Sequence, residues 1–317
     1  MNAIYSLGLL LMPLLRLGSR GSPLALAQAN QTRDRLIASG VPAGEITITI
    51  FKTDGDRIQD RPLSEVGGKG LFTKELEDAL LASSIDAAVH SMKDMATALP
   101  DGLRIAAVLP REDVRDAFVS LAYKRFSDLP QGATFGTSSI RRQSQLLRLR
   151  PDLKIIGFRG NVETRLKKLS DGVADATLLA TAGLNRLGMA DRIAEHFATD
   201  VLLPAPAQGA VAIEIRAGDD ATAQRLAALD HQATHLATLV ERAFLAVLDG
   251  SCRTPIAAHA LVKEGRVQFR GEVISPDGRR HVAVERSGPA QHAIVMATDA
   301  GREVLSRAGA DLLGARV

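Results

Sequence analysis

Cationic and hydroxylic side chains recur where an apolar, strand-like stretch of the sequence gives way to an amphipathic, helix-like one. The residues at these corners are Arg20, Ser22, Ser91, Lys93, Thr137, Ser138, Ser139, Arg141, Arg142, Arg159 and Arg165. In an open α/β sheet such corners lie beyond the carboxyl ends of the strands, where ligands bind. The set predicts a site for a small molecule with several anionic groups, because arginine forks and helix N-termini both attract carboxylates. Any one arginine, taken alone, is explained equally well as a solvated charge on a helix face.

Two further residues have types suited to reaction. Asp94 stands among the cations of one corner, where a carboxylate can act as general acid or base, stabilise a cationic intermediate or serve only as a salt-bridge partner. Cys252 follows Gly250 on a predicted loop with polar neighbours. A buried structural cysteine is the usual alternative, but a loop position favours a reactive or modified thiol.

Two weaker motifs lack the spacing that their chemistry requires. The glycine-rich stretch at 67–70 does not match the GxxxxGK[ST] spacing of a phosphate-binding loop, so it is interpreted as a flexible active-site loop. His231 and His235 are four residues apart but lack the glutamate of an HExxH zinc motif. They are predicted to be surface residues, and the sequence predicts no metal site.

The elements that must position the corner residues alternate between strand and helix. Strands are predicted at 14–18, 46–50, 86–90, 103–109, 133–136, 154–158 and 176–180. Helices are predicted at 24–37, 71–82, 139–150 and 162–170, with another after 180. Ser22 and Pro23 form a helix-start signal, an N-cap serine followed by proline at the first helical position. Alternation of this kind predicts mostly parallel sheets with helices on both faces.

The pattern changes beyond about Thr234. A long apolar helix ends near Gly250, and three strand-like stretches follow at 260–262, 267–274 and 281–286. The turns between them are predicted at Glu264-Gly265 and at Pro276-Asp277-Gly278. With a last helix, this part reads as a small α+β domain.

Two proline-punctuated segments, 109–115 and 204–206, are predicted to be linkers. If both cross between the same two domains, the segment between them is inserted into the first domain, and a hinged cleft lies between the two. The predicted domains are therefore 14–110 with 209–230, then 114–204, and finally 233–317.

Composition narrows the class of protein. The 317 residues suffice for two or three domains, and 46% hydrophobic with 24% charged residues is typical of globular proteins. A net charge of +3, no Trp and 3% aromatic residues argue against nucleic acid as a partner. The single cysteine favours a reducing compartment, the cytoplasm.

The apolar N-terminal stretch at 7–15 is too short to span a bilayer. It also lacks a preceding positive charge and a cleavage site, so residues 1–12 are interpreted as an extension and no membrane association is expected. A degenerate signal peptide is the less favoured alternative.

Several stretches of the sequence resemble the porphobilinogen deaminase family. They are SRGSPLAL at 19–26, VGGKGLF at 66–72, AVHSMKD at 88–94, GTSSIRRQ at 136–143, RGNVETR at 159–165, LATAGL at 179–184, PAQGA at 206–210 and the Cys252 loop. They occur in family order and cover nearly the whole chain from about Leu14.

The resemblance implies an α/β fold with two doubly wound domains like those of periplasmic binding proteins, an interdomain cleft and a C-terminal α+β domain. It implies a transferase of tetrapyrrole biosynthesis that deaminates four porphobilinogen molecules and joins them head to tail into linear hydroxymethylbilane. The cofactor would be dipyrromethane, attached through a thioether to Cys252. A monomer is also implied, with its product passed to uroporphyrinogen-III synthase.

The resemblance also implies roles for single residues. Asp94 would assist departure of the substrate amine and stabilise a cationic pyrrole, while the corner cations and hydroxyls would bind the carboxylates of the cofactor and substrate. The mobile loop and substrate pocket would include Lys69, Phe72, Arg186 and Gln208. Some relatives have lysine at the position of Glu65, which leaves any role of a cation there open.

Two other classes of protein remain as alternatives on the residues alone. A two-lobed fold is shared by non-catalytic binding proteins of the periplasmic type and by effector domains of regulators. Cys252, the appended third domain and Asp94 among the arginines argue against both. Nucleotide or phosphate binding at 67–70 lacks its required motif.

Overall fold

Three β-sheets organise the chain in the computed structural model, which describes residues 15–53, 55, 71–248 and 255–312. The strands are β1 (Leu15–Arg20), β2 (Ile46–Phe51), β3 (Ala87–Ser91), β4 (Leu103–Val108), β5 (Asp116–Val119), β6 (Thr134–Gly136), β7 (Lys154–Ile156), β8 (Ala176–Ala180), β9 (Glu195–His196), β10 (Val211–Arg216), β11 (Ile256–Lys263), β12 (Arg266–Ile274) and β13 (His281–Pro289). The helices are α1 (Pro23–Ala38), α2 (Lys74–Leu81), α3 (Ile140–Leu149), α4 (Val162–Ser170), α5 (Thr181–Arg186), α6 (Asp220–Leu226), α7 (Gln232–Val247) and α8 (Ala293–Leu312). We call the first sheet with its helices the first lobe and the second sheet with its helices the second lobe.

The first sheet has the strand order β2-β1-β3-β10-β4. Strands β1, β2 and β3 are parallel, whereas β10 runs antiparallel to both of its neighbours. Alternate residues of β3 face opposite sides: Val89 packs in the cluster that contains Leu36 of α1, and Ala88 packs with Leu76 of α2. Helices therefore cover both faces of the sheet. This is required because successive side chains of a strand point to opposite faces, and those of β3 are buried on both.

The second sheet repeats this arrangement with the order β7-β6-β8-β5-β9. Strands β6, β7 and β8 are parallel, and β5 runs antiparallel to β8 and β9. In each sheet the antiparallel strand is the first one that the chain forms after it arrives from the other sheet. Phe118 and Leu146 of α3 lie in the cluster on one face, while Val119 and Leu169 of α4 lie in the cluster on the other.

The third sheet is an antiparallel meander, β11-β12-β13, covered by α7 and α8. Phe244 of α7 packs on Phe269 of β12 with ring centroids 5.2 Å apart. The turn between β11 and β12 places Glu264 and Gly265 at φ 50° and 71°, the left-handed conformation that a tight hairpin turn needs.

The sequence-based fold class is confirmed by these sheets. Two sheets of the doubly wound type are followed by a three-stranded sheet with helices. The predicted linkers at 109–115 and 204–206 both fall where the chain crosses between the two five-stranded sheets.

Three strands were absent from the predicted set. They are β5, β9 and β10. Strand β10 reads VAIEIR and carries a buried glutamate, Glu214, and β9 has only two residues. Among the described residues, no helix is long and apolar enough to cross a membrane.

Candidate active site

Asp94 lies on a single turn of 3-10 helix, Met92–Asp94, that directly follows β3. The side chains of Met92 and Met95 on either side are buried, whereas Lys93 and Asp94 are exposed. The amide of Met92 donates to the carbonyl of Ala210 at 3.1 Å, and that of Met95 donates to the carbonyl of Met92 at 3.2 Å. The turn is thus anchored to β10 while its carboxylate stays open to solvent.

Charges from the second lobe surround this turn. The electrostatic field of Asp94 acts on Lys93 beside it and on Arg165 of α4. Desolvation by the surrounding protein, together with the nearby positive charges of Arg142 and Arg159, lowers the pKa of Arg165 to about 10, and Asp94 opposes this shift. The strand ends of both lobes therefore bring one carboxylate and several cations together.

Lys93 has the same environment. Its side chain reaches solvent but is densely surrounded by protein, and desolvation lowers its pKa to about 8. Asp94 opposes this shift, and the charges of Arg142 and Arg141 reinforce it. The lysine is therefore held close to its deprotonation point at neutral to mildly alkaline pH.

Asp116, the first residue of β5, is a residue that the sequence analysis missed. Its two carboxylate oxygens accept from Nη2 of Arg141 and Nη2 of Arg142, each at 2.6 Å, and all three side chains are buried. Burial alone would raise the pKa of Asp116, but the two guanidinium charges and their hydrogen bonds hold it well below its usual range. The two arginines are predicted ligand-binding residues, and the structure shows them fixed by a buried counter-charge.

The remaining guanidinium donors distinguish these two arginines. Nη1 of Arg141 donates to the carbonyl of Leu203, and Nη1 of Arg142 donates to the carbonyl of Leu178, both at 2.8 Å. Nε of Arg142 is buried and has no hydrogen-bond partner in the described part of the chain. A buried N–H without a partner is costly, so this donor fits a site that takes an anionic ligand.

Gln208 connects the two lobes at this place. Its buried side-chain amide accepts from Nζ of Lys93 at 3.2 Å and donates to Oδ1 of Asp116 at 3.0 Å. It also donates to the carbonyl of Val114 at 2.8 Å. A residue predicted for the substrate pocket therefore links the Asp94 turn to the buried arginine pair.

The predicted hydroxyl residues lie at the same strand ends, and they bind the backbone there. Ser22 and Ser139 are the N-caps of α1 and α3. Ser138 accepts from the amide of Phe158 at 2.8 Å, and Thr137 accepts from the amide of Ser139 at 3.1 Å. A hydroxyl that accepts an N–H still has its own O–H to donate, so these contacts leave a donor for a carboxylate.

Ser91 differs from the other hydroxyl residues because its partner is a side chain. Its Oγ lies 2.8 Å from Nε2 and 3.1 Å from Oε1 of Gln28, a buried residue of α1. The helix that Ser22 caps therefore also orients the last residue of β3.

Arg20 and Arg159 stand at the edges of the group. The guanidinium carbon of Arg20 lies 4.3 Å from the centroid of the Phe72 ring, a cation–π contact. Arg159 is half-buried and lies near enough to Arg165 to lower the pKa of that residue. Both are therefore found where the sequence predicts them, at the ends of β1 and of the stretch after β7.

Arg186 of α5, which is predicted for the substrate pocket, contacts residues of the first lobe. Its Nη2 donates to the carbonyl of Gly209 at 2.8 Å, and its Nε donates to Oε1 of Gln31 on α1 at 3.3 Å. Burial lowers its pKa, and Glu112 opposes that shift. The structure therefore shows Arg186 as a contact between the lobes.

Two predicted site residues, Cys252 and Lys69, lie outside the described residues, as do Glu65 and the glycine-rich stretch at 67–70. Helix α7 ends at Val247, five positions before Cys252. His231 caps the start of α7, and His235 pairs with Asp230 at 2.8 Å. In the ranges that the structure describes, no group of three or more His, Cys, Asp or Glu side chains is arranged to hold a metal ion.

Comparison with known proteins identifies the family. A family model described as "Porphobilinogen deaminase, dipyromethane cofactor binding domain" matches residues 15–224, and one described as "Porphobilinogen deaminase, C-terminal domain" matches residues 235–306. The chain belongs to the porphobilinogen deaminase family. The two matches are separated by residues 225–234, which contain the end of α6 and the start of α7.

Curated porphobilinogen deaminases are similar over almost their whole length. The chain is 57% identical to that of Paracoccus denitrificans over 94% of this chain and 95% of the relative. It is 56% identical to that of Nitrobacter hamburgensis over 92% of this chain and 93% of the relative. Family membership confirms the predicted enzyme class, a transferase that forms hydroxymethylbilane, and the predicted dipyrromethane cofactor.

Solved structures of binding proteins are more distant. A methionine-binding lipoprotein from Bacillus subtilis is 17% identical with a TM-score of 0.42, covering 69% of this chain and 91% of that one. A nutrient binding protein from Burkholderia cenocepacia, bound to methionine, is 16% identical with a TM-score of 0.44, covering 70% and 93%. The fold class rests on the strand orders described above rather than on this likeness.

Proposed function

We propose that the chain condenses porphobilinogen at the turn that carries Asp94, with the growing chain of pyrroles held by cations of both lobes. The observation that carries this proposal is the position of Asp94, on a turn of the first lobe and within electrostatic range of Arg165 of the second lobe. A single carboxylate facing several cations suits a substrate that is anionic at its periphery and becomes cationic at its reacting carbon.

Each condensation breaks one C–N bond and forms one C–C bond. The aminomethyl nitrogen leaves as ammonia, the α-carbon of the terminal bound pyrrole attacks the resulting electrophilic carbon, and that α-carbon then loses its proton. Asp94 assists departure of the amine and stabilises the positively charged pyrrole, because a carboxylate beside a developing cation lowers its energy. Water reacts with the last electrophilic carbon to give the hydroxymethyl group of the product.

The periphery of each pyrrole carries an acetate and a propionate, so the growing chain presents a ladder of carboxylates. Arg20, Lys93, Arg159 and Arg165 supply charge for this ladder, and Nε of Arg142 is a buried donor with no acceptor among the residues that the structure describes. Arginine suits this task because its planar fork matches a carboxylate. The hydroxyls of Ser22, Thr137, Ser138 and Ser139 add donors at the same strand ends, and we propose that Ser91 joins them when its hydroxyl turns from Gln28 to a carboxylate.

The cofactor would be attached to Cys252 and held by the same cations. When bound, dipyrromethane supplies the pyrrole α-carbon to which the first substrate unit is joined. The buried, unpaired Nε of Arg142 is consistent with a bound carboxylate there. Lys69 and Phe72 would belong to the loop that covers the substrate, and the cation–π contact of Phe72 with Arg20 supports its nearness to the site.

Intact-mass spectrometry tests the attachment. The purified holoprotein should be heavier than its sequence by two pyrrole units, and Cys252→Ser should lose that increment while Ser251→Ala keeps it. The proposal fails if protein from a haem-competent host has the mass of the bare chain.

The proposal also covers the cellular location, the oligomeric state and the division into domains. A lone thiol supports a cytoplasmic location, and we propose a monomer that passes its product to uroporphyrinogen-III synthase. The three sheets support a division into domains at 14–110 with 209–230, at 114–204 and at 233–317.

A further inference from the structure

Arg242 is a buried arginine of α7, and its hydrogen bonds within the described part of the chain all reach the segment that leaves the Asp94 turn. Nη2 donates to the carbonyls of Ala96 at 2.5 Å and Thr97 at 3.1 Å, and Nη1 donates to the carbonyl of Met95 at 3.4 Å. Its side chain is 8% exposed. One guanidinium from the C-terminal part of the chain therefore binds three consecutive carbonyls directly after Asp94.

The charge of Arg242 is costly to bury, and its surroundings show why it is tolerated. Desolvation lowers its pKa, and the negative charge of Glu214 opposes that shift. Glu214 is itself fully buried on β10 and lies 3.0 Å from His90 of β3. Arg242 is thus compensated by a carboxylate of β10, the strand that pairs with β3.

Among the described residues, no other hydrogen bond joins the turn or the segment at 95–97 to the third sheet's part of the chain. The backbone contacts of the turn go to Ala210 and to its own Met92. Arg242 lies ten positions before Cys252 on the helix that leads toward it. The same helix therefore leads to the proposed attachment point of the cofactor and holds the segment after the proposed catalytic carboxylate.

We propose that Arg242 is a positioning residue that sets the location of the Asp94 carboxylate relative to α7, the helix that precedes Cys252 in the chain. This rests on the proposed function of Asp94. A guanidinium holds its donors in a rigid planar fork, whereas a lysine ammonium carries three rotatable donors on a flexible stem and a methionine side chain has none. Loss of the fork lets the segment at 95–97 shift, and displacement of a reacting group by about 1 Å is enough to lower turnover about 100-fold.

The test compares Arg242→Lys and Arg242→Met with Arg150→Lys as a matched control. Arg150 also donates to two backbone carbonyls, those of Leu129 and Pro130, but it lies in the second lobe at the far end of α3. We expect Arg242→Met to lower kcat about 10- to 100-fold with KM changed less than about threefold and the cofactor mass retained. Arg242→Lys should recover part of the loss, and Arg150→Lys should leave kcat unchanged.

A double-mutant cycle with Asp94→Asn separates positioning from a general structural role. If Arg242 acts through Asp94, Arg242→Met should add little to the loss already caused by Asp94→Asn, whereas independent effects multiply. Multiplying effects, or a normal kcat per cofactor-bearing molecule in Arg242→Lys, would overturn the proposal. Should Arg242→Met fail to fold, the cycle is run with Arg242→Lys. Near-normal turnover of Asp94→Asn alone would instead overturn the proposed function.

Discussion

Oδ1 of Asp116 lies 2.6 Å from Nη2 of Arg142, and both side chains are buried in the second lobe. Because Arg141 binds the other oxygen of the same carboxylate, one negative charge compensates two positive ones. The net positive charge that remains is available to an anionic ligand.

Asp116→Asn should destabilise the protein. Two buried guanidinium charges would lose their partner, which costs about 3–5 kcal/mol of unfolding free energy. Denaturant titration measures it, with Asp171→Asn as control. Asp171 pairs with Lys167 on the exposed face of α4, and its loss should change stability by less than about 1 kcal/mol. Equal effects of the two substitutions would contradict this account.

The same ion pair predicts the acid limb of the stability curve. Asp116 has a lower pKa in the folded protein than in the unfolded chain. Its contribution is therefore complete above the unfolded-state pKa of about 4 and is lost as the pH falls through the folded-state pKa. Denaturant titrations below about pH 4 should show a shallower loss of stability in Asp116→Asn than in the unsubstituted protein.

Lys93 predicts a pH dependence of substrate capture. Its pKa is about 8, so its positive charge is present below that pH and is lost as the pH rises through it. If the charge binds a carboxylate, kcat/KM should fall above about pH 8, since that ratio reports ionisation of the free enzyme. Lys93→Arg should remove this limb, because arginine stays protonated. Lys124→Arg, an exposed control, should retain it.

Asp94→Asn should lower the rate of ammonia release about 10²- to 10⁴-fold, the usual contribution of a catalytic acid or base. The cofactor should remain attached, as shown by intact mass. Asp101→Asn, an exposed aspartate farther along the same connection to β4, serves as the control and should keep full activity. A near-normal rate in Asp94→Asn would remove Asp94 from the proposed chemistry.

Gly278→Ala should cost more stability than Gly265→Ala. Both glycines have positive φ, 77° and 71°, so both substitutions carry the left-handed penalty of about 1–2 kcal/mol. Only at Gly278 would the added Cβ collide, 2.5 Å from the backbone nitrogen of Arg148 in α3, whereas Gly265 has nothing within 4 Å. The difference in denaturation midpoint isolates the contact between the third sheet and α3. Equal midpoints would mean that the backbone at this contact moves to accommodate the added Cβ without a loss of stability.

Local patterns predicted most elements of the fold. The Ser22-Pro23 signal marked the start of α1, the alternating isoleucines marked β2, and Glu264-Gly265 marked a hairpin turn. These features depend on neighbours in sequence, so a period or a cap suffices to find them. The corner cations were found for the same reason, since each follows a strand that can be recognised.

The missed features depend on partners far apart in the sequence. Asp116 directly follows the predicted linker at 109–115, and its role emerges only when α3 brings Arg141 and Arg142 to it. Arg242 looked like a helix charge, yet it binds carbonyls about 146 positions earlier. No local period encodes such contacts. Two buried arginines require a buried carboxylate as counter-charge. The sequence does not say which aspartate or glutamate supplies it.

The position of β10 has a consequence for synthesis on the ribosome. Strand β4 ends at Val108, but its neighbour in the sheet, β10, begins at Val211. At about 5–20 residues per second, β4 emerges roughly 5 to 20 s before the strand that must pair with it. Until then the edge of β4 is unpaired. The whole second lobe must be synthesised before the sheet of the first lobe can be completed. We expect nascent chains that stop before residue 211 to be the ones that chaperones retain.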